Sequence, residues 1–192
     1  MTLAPHAAAD ATLTAMAPVV DPASVTIGVA IALPEPCASA VRDARERFGD
    51  PQARAIPTHV TLLAPTMVPP TMLKGIDAHL RDAAAHVQPF RLSVNGTGTF
   101  RPVSPVVFLS VNEGISGCEA LERVIRYGPL LRKRNFPYHP HITLVHEVPE
   151  AVMDEAFQAF ADYRFSYVAE HFTLYMQDAE RVWQPVRDYR LG

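Results

Sequence analysis

Apolar residues recur along this chain with two periods, one typical of strands and one typical of helices. Alternating or short β-branched apolar runs predict strands, and apolar residues three or four positions apart predict amphipathic helices. Pro34 and Pro65 are expected to end two of the strands, because proline lacks the N–H that a strand ladder needs. Strands are predicted over 25–33, 59–64, 90–94, 106–111, 141–145, 165–176 and 182–191, and helices over 35–48, 71–87, 115–127 and 151–161.

The two halves of the chain repeat each other. A shift of 82 positions carries His59 onto His141 and places the three strands of the first half on strands of the second. Each half reads strand, helix, strand, helix, strand, and two such units can pack about a pseudo-twofold axis with their apolar faces together. The pattern predicts an α+β, bilobal, duplicated fold with antiparallel sheets and flanking helices around a central cleft. We expect one domain over residues 23–192, preceded by a flexible tail over 1–22.

Composition excludes several classes of protein. With 48% hydrophobic and 19% charged residues, the chain is not a disordered one. A formal net charge of -3 argues against a strongly basic nucleic-acid binder, although Arg132-Lys133-Arg134 is a local stretch able to attract a polyanion. The two cysteines, Cys37 and Cys118, form no CxxC pair, so neither a zinc knuckle nor a disulfide framework is indicated. No apolar run is long enough to span a membrane, and residues 1–21 lack the basic start of a secretory leader. We therefore expect a cytoplasmic protein. We also favour a monomer.

The candidate chemistry lies in a repeated tetrapeptide, His-x-Thr-Leu. It occurs at His59 and at His141, in the same place in both halves, and residues two apart on a strand point to the same side. His59 is thereby expected to share a face with Thr61, and His141 with Thr143. Near neutral pH one imidazole can accept a proton while another donates one, and threonine hydroxyls can hydrogen-bond phosphate oxygens. The pairing predicts acid–base chemistry at phosphorus that needs no metal and no cofactor.

A third His-x-Thr-Leu match begins at His171, so the motif by itself does not identify a functional site. Its counterpart in the first half begins at Pro89, which has no imidazole, so we interpret His171 as a surface residue. A metal site formed by His139, His141 and His146 is disfavoured, because no nearby carboxylate joins them except Glu147.

Other residues are candidates for contacts with a substrate. His139 is a candidate for the mouth of the cleft, and Tyr175 is the strongest aromatic candidate because it shares the strand parity of Thr173 rather than that of the apolar Phe172. The remaining candidates for stacking on a base or contacting a phosphate are Phe100, Arg101, Phe136 and Tyr138.

The two motifs, in residues 58–65 and 138–144, resemble those of the 2H phosphoesterase superfamily, in the branch of 2′-5′ RNA ligases and RNA 2′,3′-cyclic phosphodiesterases. This resemblance spans nearly the whole chain after the tail. It implies that His59 and His141 are the acid and base, that Thr61 and Thr143 hold the phosphate, and that the partner is a nucleotide or RNA end carrying a cyclic phosphate. The sequence departs from the pattern after the second motif, where relatives often have an arginine and this chain has Val145-His146.

Three functions are open from the sequence. The first is hydrolysis of a 2′,3′-cyclic phosphate, with the resemblance favouring a 2′-phosphate product. The second is RNA ligation, or cleavage of another cyclic diester such as an ADP-ribose derivative, at the same site. The third is a non-catalytic nucleotide-binding module, against which the two matched histidines argue, since binding alone does not require two proton carriers.

Overall fold

The structure, a computed structural model, describes residues 24–134 and 136–192, so the tail predicted over 1–22 lies outside the described residues. Strands and helices alternate along this part of the chain, except that two strands follow one another in the middle and three at the end. The strands are β1 (Val25–Ala32), β2 (His59–Val68), β3 (Phe90–Thr99), β4 (Val106–Glu113), β5 (His141–His146), β6 (Arg164–Ala169), β7 (His171–Gln177) and β8 (Trp183–Arg190). The helices are α1 (Cys37–Arg47), α2 (Leu73–Ala85), α3 (Ile115–Ile125) and α4 (Glu150–Ala159), with short 3₁₀ turns at Pro70–Met72 and Gly128–Leu130.

The strands form two antiparallel four-stranded sheets, in the orders β2-β1-β7-β8 and β5-β4-β3-β6. The predicted α+β class, with two sheets and flanking helices, is confirmed. Strands β2 and β5, which carry the two His-x-Thr-Leu motifs, are edge strands of their sheets and contact each other. The two motifs therefore meet where the sheets adjoin.

The two halves of the chain exchange their third strands. Strand β3, from the first half, pairs with β4 of the second, while β7, from the second half, pairs with β1 of the first. The sequence repeat predicts three strands in each half but not this exchange. The exchange means that neither sheet can be completed by one half of the chain alone.

Three predicted strand boundaries are wrong, the first at β3, which runs to Thr99 instead of ending at Val94. Pro65 does not end β2, which continues to Val68, because β2 is an edge strand and an edge strand tolerates a missing N–H. The single strand predicted over 165–176 is two strands, β6 and β7, which belong to different sheets and are separated by Glu170. The apolar positions change phase at the break, from odd positions such as Phe165 and Tyr167 to even positions such as Phe172 and Leu174, and this change is the sign of it in the sequence.

Strand pairing also corrects the alignment of the first strands of the two halves. In the β1–β2 ladder Ala30 lies opposite Thr61, and in the β4–β5 ladder Phe108 lies opposite Thr143. Ala30, rather than Thr26, is therefore the structural counterpart of Phe108. The shift of 82 positions holds for the motif strands but not for the strands beside them.

The core lies between the sheets and the helices. Helix α1 buries Val41 and Ala44 on one face, and α2 buries Ile76 and Leu80, the spacing that the sequence predicts for amphipathic helices. Helix α1 packs on β5, and α3 packs on β2, so each helix also touches the motif strand of the other half. No helix within the described residues is long and apolar enough to cross a bilayer.

Candidate active site

His59 is held in one orientation by the loop that precedes β2. Its Nδ1 lies 2.6 Å from the carbonyl oxygen of Pro57, and its Nε2 lies 3.1 Å from Oγ1 of Thr61. Because a carbonyl oxygen can only accept, Nδ1 carries the hydrogen and donates it, which leaves Nε2 as the nitrogen able to accept a proton. His59 and Thr61 share a face of β2, as the strand period predicts.

His141 repeats this arrangement at the start of β5. Its Nδ1 donates to the carbonyl oxygen of His139 at 2.8 Å, again two residues upstream. The ring of Phe100 lies perpendicular to the imidazole with centroids 4.9 Å apart, and Phe108 packs against it at 5.2 Å. Both imidazoles are thus fixed in the same tautomer, with Nε2 free of the backbone.

The two imidazoles line one cleft. It has a volume of about 210 Å³ and is bounded by side chains from both halves of the chain. The lining residues are Arg45, Gln52, Ile56, His59, Val106, His141, Thr143 and His146. The structure therefore brings together both motif histidines and Thr143, while Thr61 stands beside His59 in an adjoining cavity.

Burial keeps both imidazoles neutral. The pKa of His59 is lowered to about 4, chiefly because burial disfavours the charged ring, with smaller contributions from the positive charge of Arg45 and from the neighbouring His141, because two charged rings would repel each other. The hydrogen bond to Pro57 raises that pKa and only partly offsets the effect. The pKa of His141 is lowered for the same main reason. Near neutral pH in the free protein, both Nε2 atoms are therefore proton acceptors.

Arg45 is a cleft residue that the sequence analysis does not include. It lies on α1, and its side chain is almost fully buried. Its Nε donates to the Asp50 carboxylate at 2.9 Å, and its Nη1 donates to the Ile56 carbonyl at the same distance. The sequence does contain a signal: Val41, Ala44, Arg45 and Phe48 have the spacing of one helix face, so a cation stands among buried apolar positions.

A cross-lobe hydrogen bond joins the motif strands. The hydroxyl of Tyr138 donates to the backbone carbonyl of Thr61 at 2.9 Å, from the segment before β5 to β2. Tyr138, considered as a stacking residue in the sequence analysis, is half-buried and spans the two lobes. Burial also raises the pKa of its hydroxyl well above the usual value, so it remains a neutral donor.

The other candidate residues fall into different places. Tyr175 is buried on β7 and lines the adjoining cavity next to His59. The guanidinium of Arg101 pairs with Asp154 on α4 at 2.7 Å. The ring of His139 is exposed and stacks at 6.2 Å from that of His141, so its carbonyl rather than its ring is what holds the neighbouring imidazole. Phe136 is exposed.

Two histidines outside the paired motifs, His171 and His146, lie in different environments. His171 is exposed at the start of β7, as the sequence predicts for the third motif match. His146 lines the cleft, a position that its spacing from His139 and His141 in the sequence does not predict. Its Nε2 lies 3.7 Å from the Glu147 carboxylate. Across the residues that the structure describes, no three His, Cys, Asp or Glu side chains converge as a metal site would require.

The basic stretch before β5 is on the surface. Arg132, Lys133 and Arg134 are exposed, and Arg134 contacts the buried carboxylate of Glu122 at 3.3 Å. Arg126 pairs with the same carboxylate at 3.1 Å, so part of this positive charge is neutralised within the fold.

Comparison with known proteins places the chain in a family. The profile of the 2′-5′ RNA ligase superfamily matches residues 33–181, most of the chain. The chain belongs to this superfamily. Membership supports a phosphodiesterase-type enzyme and agrees with the resemblance seen in the two motifs.

Related sequences and structures are consistent with that membership. The chain is 28% identical over 150 residues to a candidate phosphoesterase of Bacillus cytotoxicus, covering 77% of this chain and 86% of the relative. It is 32% identical over 117 residues to one of Halalkalibacterium halodurans, covering 61% and 67%. The crystal structure of E. coli LigT with 3′-AMP shares the fold, with a TM-score of 0.65 and 23% identity over 88% of this chain and 99% of LigT. A Thermus thermophilus protein gives a TM-score of 0.58 at 22% identity, covering 86% and 97%.

Proposed function

We propose that this protein is a metal-independent phosphodiesterase that hydrolyses 2′,3′-cyclic phosphates of nucleotides or RNA ends. The observation that carries the proposal is the pair of imidazoles on one cleft, His59 from β2 and His141 from β5. Each is fixed through Nδ1 to a carbonyl two residues upstream. Displacement at phosphorus needs a proton acceptor for the nucleophile and a proton donor for the leaving oxygen, and two such rings supply both.

The reaction balances without another reagent. One neutral Nε2 accepts a proton from water as the water oxygen forms its bond to phosphorus. The bond from phosphorus to O3′ breaks, and the departing oxygen takes a proton from the other imidazole, which must be protonated at that moment. The product is a 2′-phosphomonoester, and the pair of rings returns to its starting state by exchanging one proton with solvent.

Substrate charge supplies the protonation state that the free site lacks. Burial keeps both rings neutral, but an anion beside an imidazole favours its charged form and raises its pKa. A bound cyclic phosphate therefore favours a cleft holding one added proton, as the reaction needs. Thr143 can donate a hydrogen bond to a non-bridging oxygen, and Thr61 can do so beside His59.

The position of Arg45 in the cleft also supports a substrate that carries a phosphate. This arginine is the one Lys or Arg among the residues that line the cleft in the described part of the chain. Its bonds to Asp50 and Ile56 use one N–H on each of two nitrogens, and an arginine has five N–H donors in all. A guanidinium held in this way can donate to a phosphate oxygen without reorganising.

The test is hydrolysis of adenosine 2′,3′-cyclic phosphate, with the product identified by chromatography against 2′-AMP and 3′-AMP. We expect turnover to 2′-AMP that is unaffected by EDTA. Turnover that stops in EDTA and returns with added metal would reject the mechanism. Products longer than the substrate, formed from RNA ends carrying a 2′,3′-cyclic phosphate and a 5′-hydroxyl, would assign ligation instead. A tight complex with no turnover would indicate a binding module.

A further inference from the structure

The loop that joins α1 to β2, residues 48–58, carries His59 into the cleft. The carbonyl oxygen of Pro57, which accepts the hydrogen on Nδ1 of His59 at 2.6 Å, belongs to this loop. The loop is also tied to the strand β8, since the backbone N–H of Trp183 donates to the carbonyl oxygen of Ala55 at 2.9 Å. The position of the hydrogen on the imidazole therefore depends on how this loop is fixed.

Arg45 fixes the peptide group that directly precedes the Pro57 carbonyl. Its Nη1 donates to the carbonyl oxygen of Ile56 at 2.9 Å. That carbonyl belongs to the peptide bond between Ile56 and Pro57, and the proline ring fixes the dihedral φ that follows it. Only ψ of Pro57 then separates the peptide group that the guanidinium holds from the carbonyl that holds His59.

Asp50 in turn fixes Arg45. Its carboxylate is buried and uses its two oxygens for different partners. One oxygen accepts from Nε of Arg45 at 2.9 Å, and the other accepts from the backbone N–H of Gln52 at 2.9 Å, which closes a turn at the start of the loop. Asp50 is not among the residues that line the cleft in the described part of the chain. A chain of contacts nevertheless leads from its carboxylate to the imidazole of His59.

The other half of the chain has a similar buried pair that is not connected to its histidine in this way. On α3, Arg126 pairs with the buried carboxylate of Glu122 at 3.1 Å and donates to the backbone carbonyl of Arg132. Arg132 lies well before His141 in the chain, and the carbonyl next to it is not the one that accepts from that imidazole. The two pairs are therefore matched in burial and charge, and only the Arg45 pair holds the peptide group beside a carbonyl that fixes a motif histidine.

We infer that Asp50 is a positioning residue that, through Arg45, keeps the hydrogen of the His59 imidazole on Nδ1. This inference rests on the proposed function, in which Nε2 of His59 exchanges protons with the substrate or water. Without the Asp50 contact the guanidinium is free to turn away from the loop, and the Pro57 carbonyl loses its fixed place. The neutral imidazole can then carry its hydrogen on Nε2 instead, where it cannot accept a proton.

The first test determines the tautomer of His59 by nitrogen-15 NMR of the imidazole near neutral pH. The variant is Asp50→Asn, which leaves one acceptor oxygen for the two donors, Gln52 N–H and Arg45 Nε. The signals of His59 are those missing from His59→Gln. We expect the Nδ1–H tautomer in the wild type and a share of the Nε2–H tautomer in Asp50→Asn. An unchanged tautomer in folded Asp50→Asn would overturn the inference.

The second test measures kcat for adenosine 2′,3′-cyclic phosphate, with substrate at saturation so that weaker phosphate binding by Arg45 does not enter the comparison. Asp50→Asn should lower kcat by about 10-fold to 10²-fold, the scale on which a slightly misplaced catalytic group loses rate. The matched control is Glu122→Gln, which makes the equivalent neutral replacement in the buried pair on α3 and should retain the wild-type kcat. Equal losses in the two variants would show that Asp50 acts only on the fold and would refute the positioning role.

The two tests separate this inference from the proposed function. A tautomer change in Asp50→Asn but not in Glu122→Gln, in a protein that does not hydrolyse the cyclic phosphate, would support the positioning role and reject the phosphodiesterase assignment. Hydrolysis with the same kcat and the same tautomer in wild type and Asp50→Asn would leave the assignment intact and reject the positioning role.

Circular dichroism shows whether Asp50→Asn is folded. If it is not, Arg45→Lys replaces it in the NMR test under the same expectations. Lysine keeps the positive charge beside Asp50 but has one nitrogen in place of the two with which Arg45 bonds Asp50 and the Ile56 carbonyl.

Discussion

At the scale of single residues, the site depends on how two imidazoles are held. The strand period predicted that His59 and Thr61, and likewise His141 and Thr143, share a face, and in the structure His59 reaches the Thr61 hydroxyl. The sequence does not predict which carbonyl accepts from each Nδ1, because that contact depends on the path of the loop before each strand. Residue type and spacing indicate the chemistry, while loop geometry sets the tautomer.

Burial of neutral His59 predicts a specific dependence of stability on pH. Its pKa of about 4 in the folded protein lies below the usual unfolded value of about 6.5, so between these values the unfolded chain binds more protons. The free energy of unfolding should therefore fall as the pH is lowered from about 7 to about 4. Urea unfolding at several pH values measures it, and His59→Gln should show a shallower fall.

The control for that measurement is His171→Gln, at an exposed histidine. It should retain the wild-type pH dependence, because it leaves the His59 ring and its surroundings unchanged. If His59→Gln and wild type lose stability with the same slope, His59 is not buried in its neutral form.

At the scale of elements, helix α1 shows which features the apolar periodicity predicts and which it does not. The sequence predicts the helix and its apolar face, and Val41, Ala44 and Phe48 are buried on it. The same spacing places Arg45 on that face, but the sequence does not predict the groups that satisfy the guanidinium, Asp50 and the Ile56 carbonyl, because they lie in the following loop. The ion pair ties α1 to the loop that leads to His59.

Removing the carboxylate from this pair should be costly. Asp50→Ala leaves the Arg45 charge buried without its partner, and the expected loss is about 3–5 kcal/mol in the free energy of unfolding. The matched control is Glu46→Ala, which removes the partner of the exposed Arg54 and should cost less than about 1 kcal/mol. Urea denaturation compares the two. Equal losses would show that Arg45 is solvated rather than buried.

At the scale of the whole molecule, the cleft is produced by pairing between the halves. The repeat predicted a bilobal fold with facing motifs, and β2 and β5 do meet at the edges of their sheets. The local sequence does not predict the exchange of β3 and β7. Each of these strands has an ordinary apolar composition, and each pairs with a strand of the other half that is distant along the chain. Ala30 and Phe108, which lie opposite the two motif threonines, differ in size. Only the register of the paired strands shows that they are counterparts.

The central claim is that His59 and His141 act on the same phosphorus atom, and kcat/KM for adenosine 2′,3′-cyclic phosphate tests it directly in His59→Gln, His141→Gln and the double variant. Each single change should lower kcat/KM by roughly 10²–10⁴-fold. The double variant should be little worse than the poorer single one, because acid and base serve one displacement. His171→Gln, the exposed third motif match, should behave as wild type. A single variant that keeps nearly full activity would contradict the account.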